Sequence, residues 1–329
     1  LFANEKNGLR RKLIKETYNA FSRHKINLST PIMAGARTRT RSFASCCLIS
    51  VDDTKNSLFA SNTAAGLATC NKYGIGLDLS KIRAINSPIR KGETLHTGVI
   101  PWLKMYQSTI HSCQQGGARR GAGTVTFPIF HYEIEDIVQL KDNTRMEANA
   151  VRHLDYSISF CKLFWQRYLE DGEITLFSSH EARELFVIYF IEEFESLYLK
   201  YEKKNLKFNK YIGSRKLIHM LMKQRAATGR IYILNVDEAN QYCSWHTPEN
   251  PVQMANLCQE DLTPNIPLDD LYDEEAEIGI CVLSAINMLK IESDAEHKKI
   301  CALIVRMLDN LISNQEYFLP AAANFAKNK

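Results

Sequence analysis

Short, largely apolar runs alternate along this chain with stretches of helical period, and that alternation confines it to the α/β class. Phe43-Ala-Ser-Cys-Cys-Leu-Ile49, Ile231-Tyr-Ile-Leu-Asn-Val236 and Ile278-Gly-Ile-Cys-Val-Leu283 each read as a buried strand. Helical signals lie between them. Ser178-x-x-Glu181 has the form of a capping box ahead of Leu185, Ile188, Ile191, Phe194 and Leu197, which predicts one long helix. Leu217, Leu221 and Ala226 predict another, closed by Gly229 as a C-cap before the strand at Ile231. A second capping box, Ser293-x-x-Glu296, opens a helix with Ile300, Leu303, Ile304, Met307, Leu308, Leu311 and Ile312 on one face. With 329 residues, 45% hydrophobic and 24% charged, the chain has the material for one large core or two ordinary domains.

Within that scaffold, Asn256-Leu-Cys-Gln-Glu260 sets a cysteine two residues from an amide and two from a carboxylate. In an extended or tightly looped segment, positions two apart point the same way. Asn256, Cys258 and Glu260 can then offer one substrate a hydrogen-bond anchor, a sulfur and a base. A cysteine is also among the residues most often buried as a small inert hydrophobe, so the pentapeptide alone leaves both readings open. Cys46 and Cys281 lie in two of the apolar runs, and three thiols on separate elements can converge or can be three core residues. Gly74-x-Gly76 carries little weight alone, whereas Gln115-Gly-Gly-Ala-Arg-Arg-Gly-Ala-Gly123 fits a loop whose amides approach an anion. Cys243-x-x-His246 lacks the second ligand pair of a zinc site, so no metal is expected.

A net charge of +4, spread along the chain and offset by acidic Asp269 to Glu277, argues against a dedicated nucleic-acid surface. Arg37-Thr-Arg-Thr-Arg41 is basic, and its alternation reads as one face of a strand. No apolar run reaches the roughly 18 residues of a membrane span. Nine cysteines without a small-domain framework fit a reducing cytosol, and with no secretory pattern a cytoplasmic location is expected.

From about Thr30 to Ala322 the chain resembles the large catalytic subunit of class I ribonucleotide reductases, the phage and enterobacterial aerobic type most of all. The residues that carry the resemblance include Thr30-Pro-Ile-Met-Ala-Gly-Ala-Arg37, Phe43-Ala-Ser-Cys46, Ser87-Pro-Ile-Arg90, His96-Thr-Gly98, Gln115-Gly-Gly117, Thr228-Gly-Arg-Ile-Tyr232, Asn256-Leu-Cys258, Cys281-Val-Leu-Ser-Ala285 and Pro320-Ala-Ala322, in the family's order and near its spacing. The resemblance implies reduction of ribonucleoside diphosphates to deoxyribonucleotides by radical chemistry. A thiyl radical on Cys258 would abstract the ribose 3'-hydrogen, Glu260 would take the 3'-hydroxyl proton, and Asn256 would hold the sugar. Cys46 would protonate the departing 2'-hydroxyl, and Cys46 with Cys281 would supply two electrons and end as a disulfide. Thr30, Ser45, Gly74, Asn256 and Leu257 are the implied substrate contacts. Asp53, Arg83 and Arg90 are the implied contacts to an effector deoxynucleotide or ATP, with magnesium.

The same resemblance implies part of a ten-stranded α/β barrel, two five-stranded halves around a central finger loop. Residues 1–40 would be a helical lead-in, 41–250 the first half-barrel, 251–264 the finger loop and 265–329 the start of the second half. No prosthetic group is implied in this chain. The radical would come from a metal-containing small subunit, and the partners would be that subunit, a polypeptide supplying the remaining C-terminal half, thioredoxin or glutaredoxin, and a second large subunit. A class II reductase fragment and an effector-binding module without chemistry are the alternatives. Leu77-Asp-Leu-Ser-Lys81 and Arg120 depart from the family in loops expected to sense the effector. Arg39 stands where a proline is usual, and Cys47 beside Cys46 is atypical of many relatives; the register after Phe43-Ala-Ser assigns the redox role to Cys46.

Overall fold

The computed structural model describes residues 2–36, 38–113, 120–187, 193–243 and 250–328. Six strands make the main sheet: β1 (Cys46–Ser50), β2 (Gly74–Asp78), β3 (Gly123–Pro128), β4 (Leu154–Phe160), β5 (Ile231–Asn235) and β6 (Gly279–Cys281). Their order is β5-β4-β3-β2-β1-β6; the first five run parallel, and β6 joins β1 antiparallel. Each parallel strand lies beside its predecessor, so the sheet winds in one direction without the reversal of a doubly wound fold. This is a mixed α/β architecture with a parallel-rich sheet, as the alternation of runs predicts.

The strands read with period two, and the two faces differ in chemistry. Cys47, Ile49, Ile75, Leu77, Val125, Phe127, Tyr156, Ile158 and Phe160 point to one face and enter the main core. Helices α1 (Lys55–Cys70), α2 (Ile100–Ser112), α3 (Lys162–Leu169) and α4 (Ser214–Thr228) contribute Ala64, Ala65, Leu103, Tyr106, Phe164, Leu217 and Leu221 to the same core. Each large apolar side chain so buried contributes about 1.5–3 kcal/mol. The opposite face carries Cys46, Ser50, Gly74, Gly76, Thr124, Thr126, Ser157 and Ser159, small and buried, together with Leu48 and Asp78. A loop lies across the small residues of this face.

Local signals hold where the backbone needs them. Gly229 adopts φ +64° and its N–H bonds to the Arg225 carbonyl at 2.8 Å, ending α4. Helix α5 (Asp294–Asn314) starts at Ser293, whose side chain accepts from Glu296 N, and its apolar face meets the helix Asn7–Ser22 in a second cluster with Leu13, Ile300, Leu303 and Met307. The ribbon Ile26–Leu28 with Ser284–Ile286 joins that cluster to the sheet.

Four expectations need correction. Ser178 caps no helix: its hydroxyl accepts from Ala84 N and His180 N and pairs with Ser87, while Glu181 accepts from Lys207 N and Phe208 N. Helical structure begins only at Arg183–Val187 and is again described at Phe194–Glu202, with 188–192 outside the described residues. The run at 278–283 is a strand only over Gly279–Cys281, because the chain bends there to pair Ser284 with Leu28. Thr38 to Arg41 form no strand, and Arg37 lies outside the described residues, as do Gln115-Gly-Gly117 and His246. Leu77 and Asp78 are the last residues of β2 rather than loop residues, and a following turn is fixed by Ser80 N donating to Asp78 Oδ1 at 3.0 Å.

Candidate active site

Cys46 opens β1 and Cys281 ends β6, and the antiparallel register sets the two directly opposite each other. Opposed residues in such a pair have Cα atoms about 4.5–5.5 Å apart and share a face. That lies inside the roughly 4.4–6.8 Å span a disulfide requires. Both cysteines are in the thiol form. Ser45 secures the junction, its N–H donating to the Cys281 carbonyl at 2.8 Å and its hydroxyl to the same oxygen at 3.3 Å. Cys47, one position along, points into the apolar core, where burial raises its pKa.

Residues 251–265 run without regular structure across the small-residue face of the sheet. At one end Asn240 clasps Val252, accepting its N–H at 2.8 Å and donating to its carbonyl at 3.0 Å; at the other, Ser50 N donates to Asn265 Oδ1 at 3.0 Å. In the middle, the Thr124 hydroxyl donates to the Leu257 carbonyl at 2.9 Å and the Ser157 hydroxyl to Gln259 Oε1 at 2.7 Å. The glycines of β2 make this approach possible. A β-carbon on Gly76 would come within 2.7 Å of the Ala255 carbonyl oxygen and 2.9 Å of Asn256 Cα, and one on Gly74 would strike the Leu257 side chain. Gly74 was expected near substrate; here its lack of a side chain seats Leu257.

Asn256, fully buried, knots the tip of the loop. Its Oδ1 accepts from Glu260 N at 3.0 Å and Asp261 N at 3.1 Å, while Nδ2 donates to Glu260 Oε1 at 2.7 Å. Gln259 takes φ +69° to turn the chain back, a left-handed conformation uncommon outside glycine. The knot presents Cys258 and Glu260 at an exposed tip above Cys46: the two sulfurs and a Glu260 carboxylate oxygen all lie within 4.8 Å of one another.

The electrostatics favour the protonated form of Cys46 and Cys281. A hydrogen bond with Cys258, then burial, then the nearby Cys281 and Glu260 all raise the Cys46 pKa. Burial, reinforced by Asp261, Glu260 and Cys258, pushes Cys281 up to about 12. Cys46, Cys258 and Glu260 also lie close enough together to offer three ligand atoms to a metal ion. An open cleft of about 660 Å³ adjoins the cluster, lined by Glu260, Asp261, Cys281, Asn235, Glu238 and Cys243.

The expected effector residues gather elsewhere. Asp53 lies three residues past the C-terminal end of β1, whereas Cys46 opens that strand. Arg83 Nε meets Asp53 Oδ2 at 2.6 Å, and Arg83 Nη1 donates to the Pro88 carbonyl at 2.8 Å, so the two expected ligands pair with each other. Arg90 is exposed with φ +49°. Thr30, exposed, opens the short helix Thr30–Gly35 two residues past Leu28, whose strand partner Ser284 follows Cys281 closely. Sequence reading missed Thr124, Ser157 and Asn240 as loop anchors. The alternation Thr-Val-Thr-Phe and Ser-Ile-Ser-Phe was the available signal, since hydroxyls on every second residue of a buried strand need partners.

Fold and site together define an α/β domain that presents a loop-borne cysteine and carboxylate to a cysteine pair on the small-residue face of a one-way-wound sheet. Residues 44–329 match the family model described as ribonucleotide reductase, barrel domain. The chain is 43% identical over its whole length to a ribonucleoside-diphosphate reductase subunit alpha of Buchnera aphidicola subsp. Baizongia pistaciae, of which it covers 44%. It is 43% identical over 82% of its length to ribonucleoside-diphosphate reductase 1 subunit alpha of Escherichia coli, covering 36% of that protein. With the corresponding subunit of Enterobacteria phage T4 the identity is 38% over 97% of this chain and 43% of that one. The chain belongs to the ribonucleotide reductase family, in the region of its barrel domain. It spans less than half the length of these relatives. Among the described residues no helix is long and apolar enough to cross a membrane.

Proposed function

We propose that this chain provides the reducing centre of a ribonucleoside-diphosphate reductase α subunit of the aerobic class. One observation carries the reading: Cys46, Cys258 and Glu260 converge within 4.8 Å while Cys281 stands opposite Cys46. A thiyl radical on Cys258 removes the ribose 3'-hydrogen and later returns it. Glu260 accepts the 3'-hydroxyl proton, and Asn256, which already orients Glu260, contributes to holding the sugar. Cys46 gives its proton to the departing 2'-hydroxyl, which leaves as water. Cys46 and Cys281 then lose two electrons to the sugar and join as a disulfide, which thioredoxin or glutaredoxin reduces for the next turnover. Thiols held in the protonated form suit both the acid and the hydrogen-donor roles.

The remaining expectations form part of the same proposal. Residues 41–250 are the first half of a ten-stranded barrel, 251–264 its finger loop, and 265–329 the start of the second half, which another stretch of polypeptide completes. A metal-containing small subunit supplies the radical, the large subunit pairs with a second copy, and the enzyme works in the cytoplasm. Thr30, Ser45, Gly74, Asn256 and Leu257 border the substrate. Asp53, Arg83 and Arg90 receive an effector nucleotide with magnesium, which requires the Arg83–Asp53 pair to open.

The test is turnover in the completed enzyme with its small subunit. Cys258→Ser is expected to give no deoxynucleotide, because an alcohol cannot replace the thiyl radical. Cys281→Ser is expected to stop net turnover while leaving radical initiation intact. Normal turnover by both variants would discard the assignment.

A further inference from the structure

Cys70 is the last residue of α1, and Cys113 directly follows the last residue of α2; the two helices pack against each other. A β-carbon on Gly66 would sit 3.6 Å from the Cys113 sulfur, and Gly66 lies one turn from Cys70 on the same helix face. Burial and then the neighbouring Cys70 thiol raise the Cys113 pKa, in keeping with two thiols that sit side by side at these helix ends. Cys70 is exposed and Cys113 half-buried, so both are open to reagents in solution, unlike buried Cys46. Gly121, on the way into β3, runs close beneath these helix ends, against the Ile110 carbonyl and the Thr69 methyl.

We propose that Cys70 and Cys113 form a second dithiol, separate from the cysteines on the sheet, which is oxidised to a disulfide by exchange with a low-molecular-weight disulfide of the glutathione class. Cys70, the more exposed, loses its proton to water and attacks one sulfur of the oxidant. The oxidant's S–S bond breaks and one glutathione leaves as thiolate. Cys113 then loses its proton and attacks the Cys70 sulfur of the mixed disulfide, expelling the second glutathione. Two protein thiols are oxidised to one disulfide, and one disulfide is reduced to two thiols. The new bond ties the ends of α1 and α2 together.

The experiment takes the native polypeptide carrying this sequence, incubates it with glutathione disulfide, blocks remaining thiols and maps its peptides by mass spectrometry. A peptide pair linked through Cys70 and Cys113, lost on reduction with dithiothreitol, is expected. In Cys113→Ser the intermediate is expected to stop as a single glutathione adduct on Cys70. Cys70→Ser is expected to abolish the link and to leave reductase turnover of the reduced enzyme within about twofold. Recovery of wild-type Cys70 only as blocked thiol, or only as a glutathione adduct, would overturn the proposal. The outcome is independent of the roles given to Cys46, Cys258 and Cys281.

Discussion

Asn256 shows how one side chain can matter to chemistry through its neighbours. Its amide satisfies two backbone donors of the loop and holds the Glu260 carboxylate. Asn256→Ala leaves those donors unpaired in a buried site, and the expected loss is about 1–3 kcal/mol in denaturant unfolding. Turnover is expected to fall further than stability alone explains, because Glu260 loses its aim; a variant with wild-type turnover would show that the knot is only structural. The cysteines make a second residue-scale prediction. Cys281 has a folded pKa of about 12, above the roughly 8.5 of a free thiol, so the folded state holds that proton more tightly than the unfolded state does. Its stabilising contribution is complete below about pH 8.5 and declines as pH rises toward 12. Denaturation midpoints are therefore expected to fall between pH 8.5 and 10, and Cys281→Ser is expected to make the fall shallower without removing it, because burial also raises the pKa of Cys47 and Cys161. At this scale the pentapeptide reading placed an amide, a sulfur and a base together. It could not reveal that the amide faces inward, because that depends on the Gln259 turn.

The elements divide into those whose signals are local and those decided by tertiary contact. Ser293 and Gly229 act as the sequence suggests, since a cap needs only the turn it terminates. Ser178 and Glu181 have the same pattern, but more distant backbone donors claim them, and no local rule ranks those claims. Glycines of β2 were legible as a motif yet not in purpose: nothing in Gly74-x-Gly76 says that a loop some 180 residues later will lie on it. That purpose is testable. Gly76→Ala places a methyl against backbone atoms of Ala255 and Asn256, which cannot swing aside as a side chain could. The expected cost is about 1–3 kcal/mol of overpacking. Displacing the loop by an ångström is expected to lower turnover about 10²-fold through misplacement of Cys258. Unchanged turnover with a fully folded protein would mean that the loop's seat on β2 is not what positions the sulfur.

At the scale of the whole molecule, the main sheet is open at both sides among the described residues. Five parallel strands wind one way and a sixth turns antiparallel beside β1, so within the described residues the outer edges of β5 and β6 are left without strand partners. β5 offers an edge of Ile231-Tyr-Ile-Leu-Asn235, rich in apolar and aromatic residues and without a charge, the composition that invites pairing with another chain. The cleft beside it ends at Glu260 and Cys281, so whatever covers β5 also encloses the site. Enclosure matters to the proposed radical chemistry because a reactive intermediate open to water is lost. The chain on its own is therefore expected to self-associate and to produce no deoxynucleotide. Adding the polypeptide that corresponds to the remainder of the relatives' length is expected to slow amide exchange over 231–235, suppress light scattering and, with the small subunit, allow turnover. A chain that stays monomeric alone, with exchange at 231–235 already slow and unaffected by the added polypeptide, would show that β5 is not the closing edge.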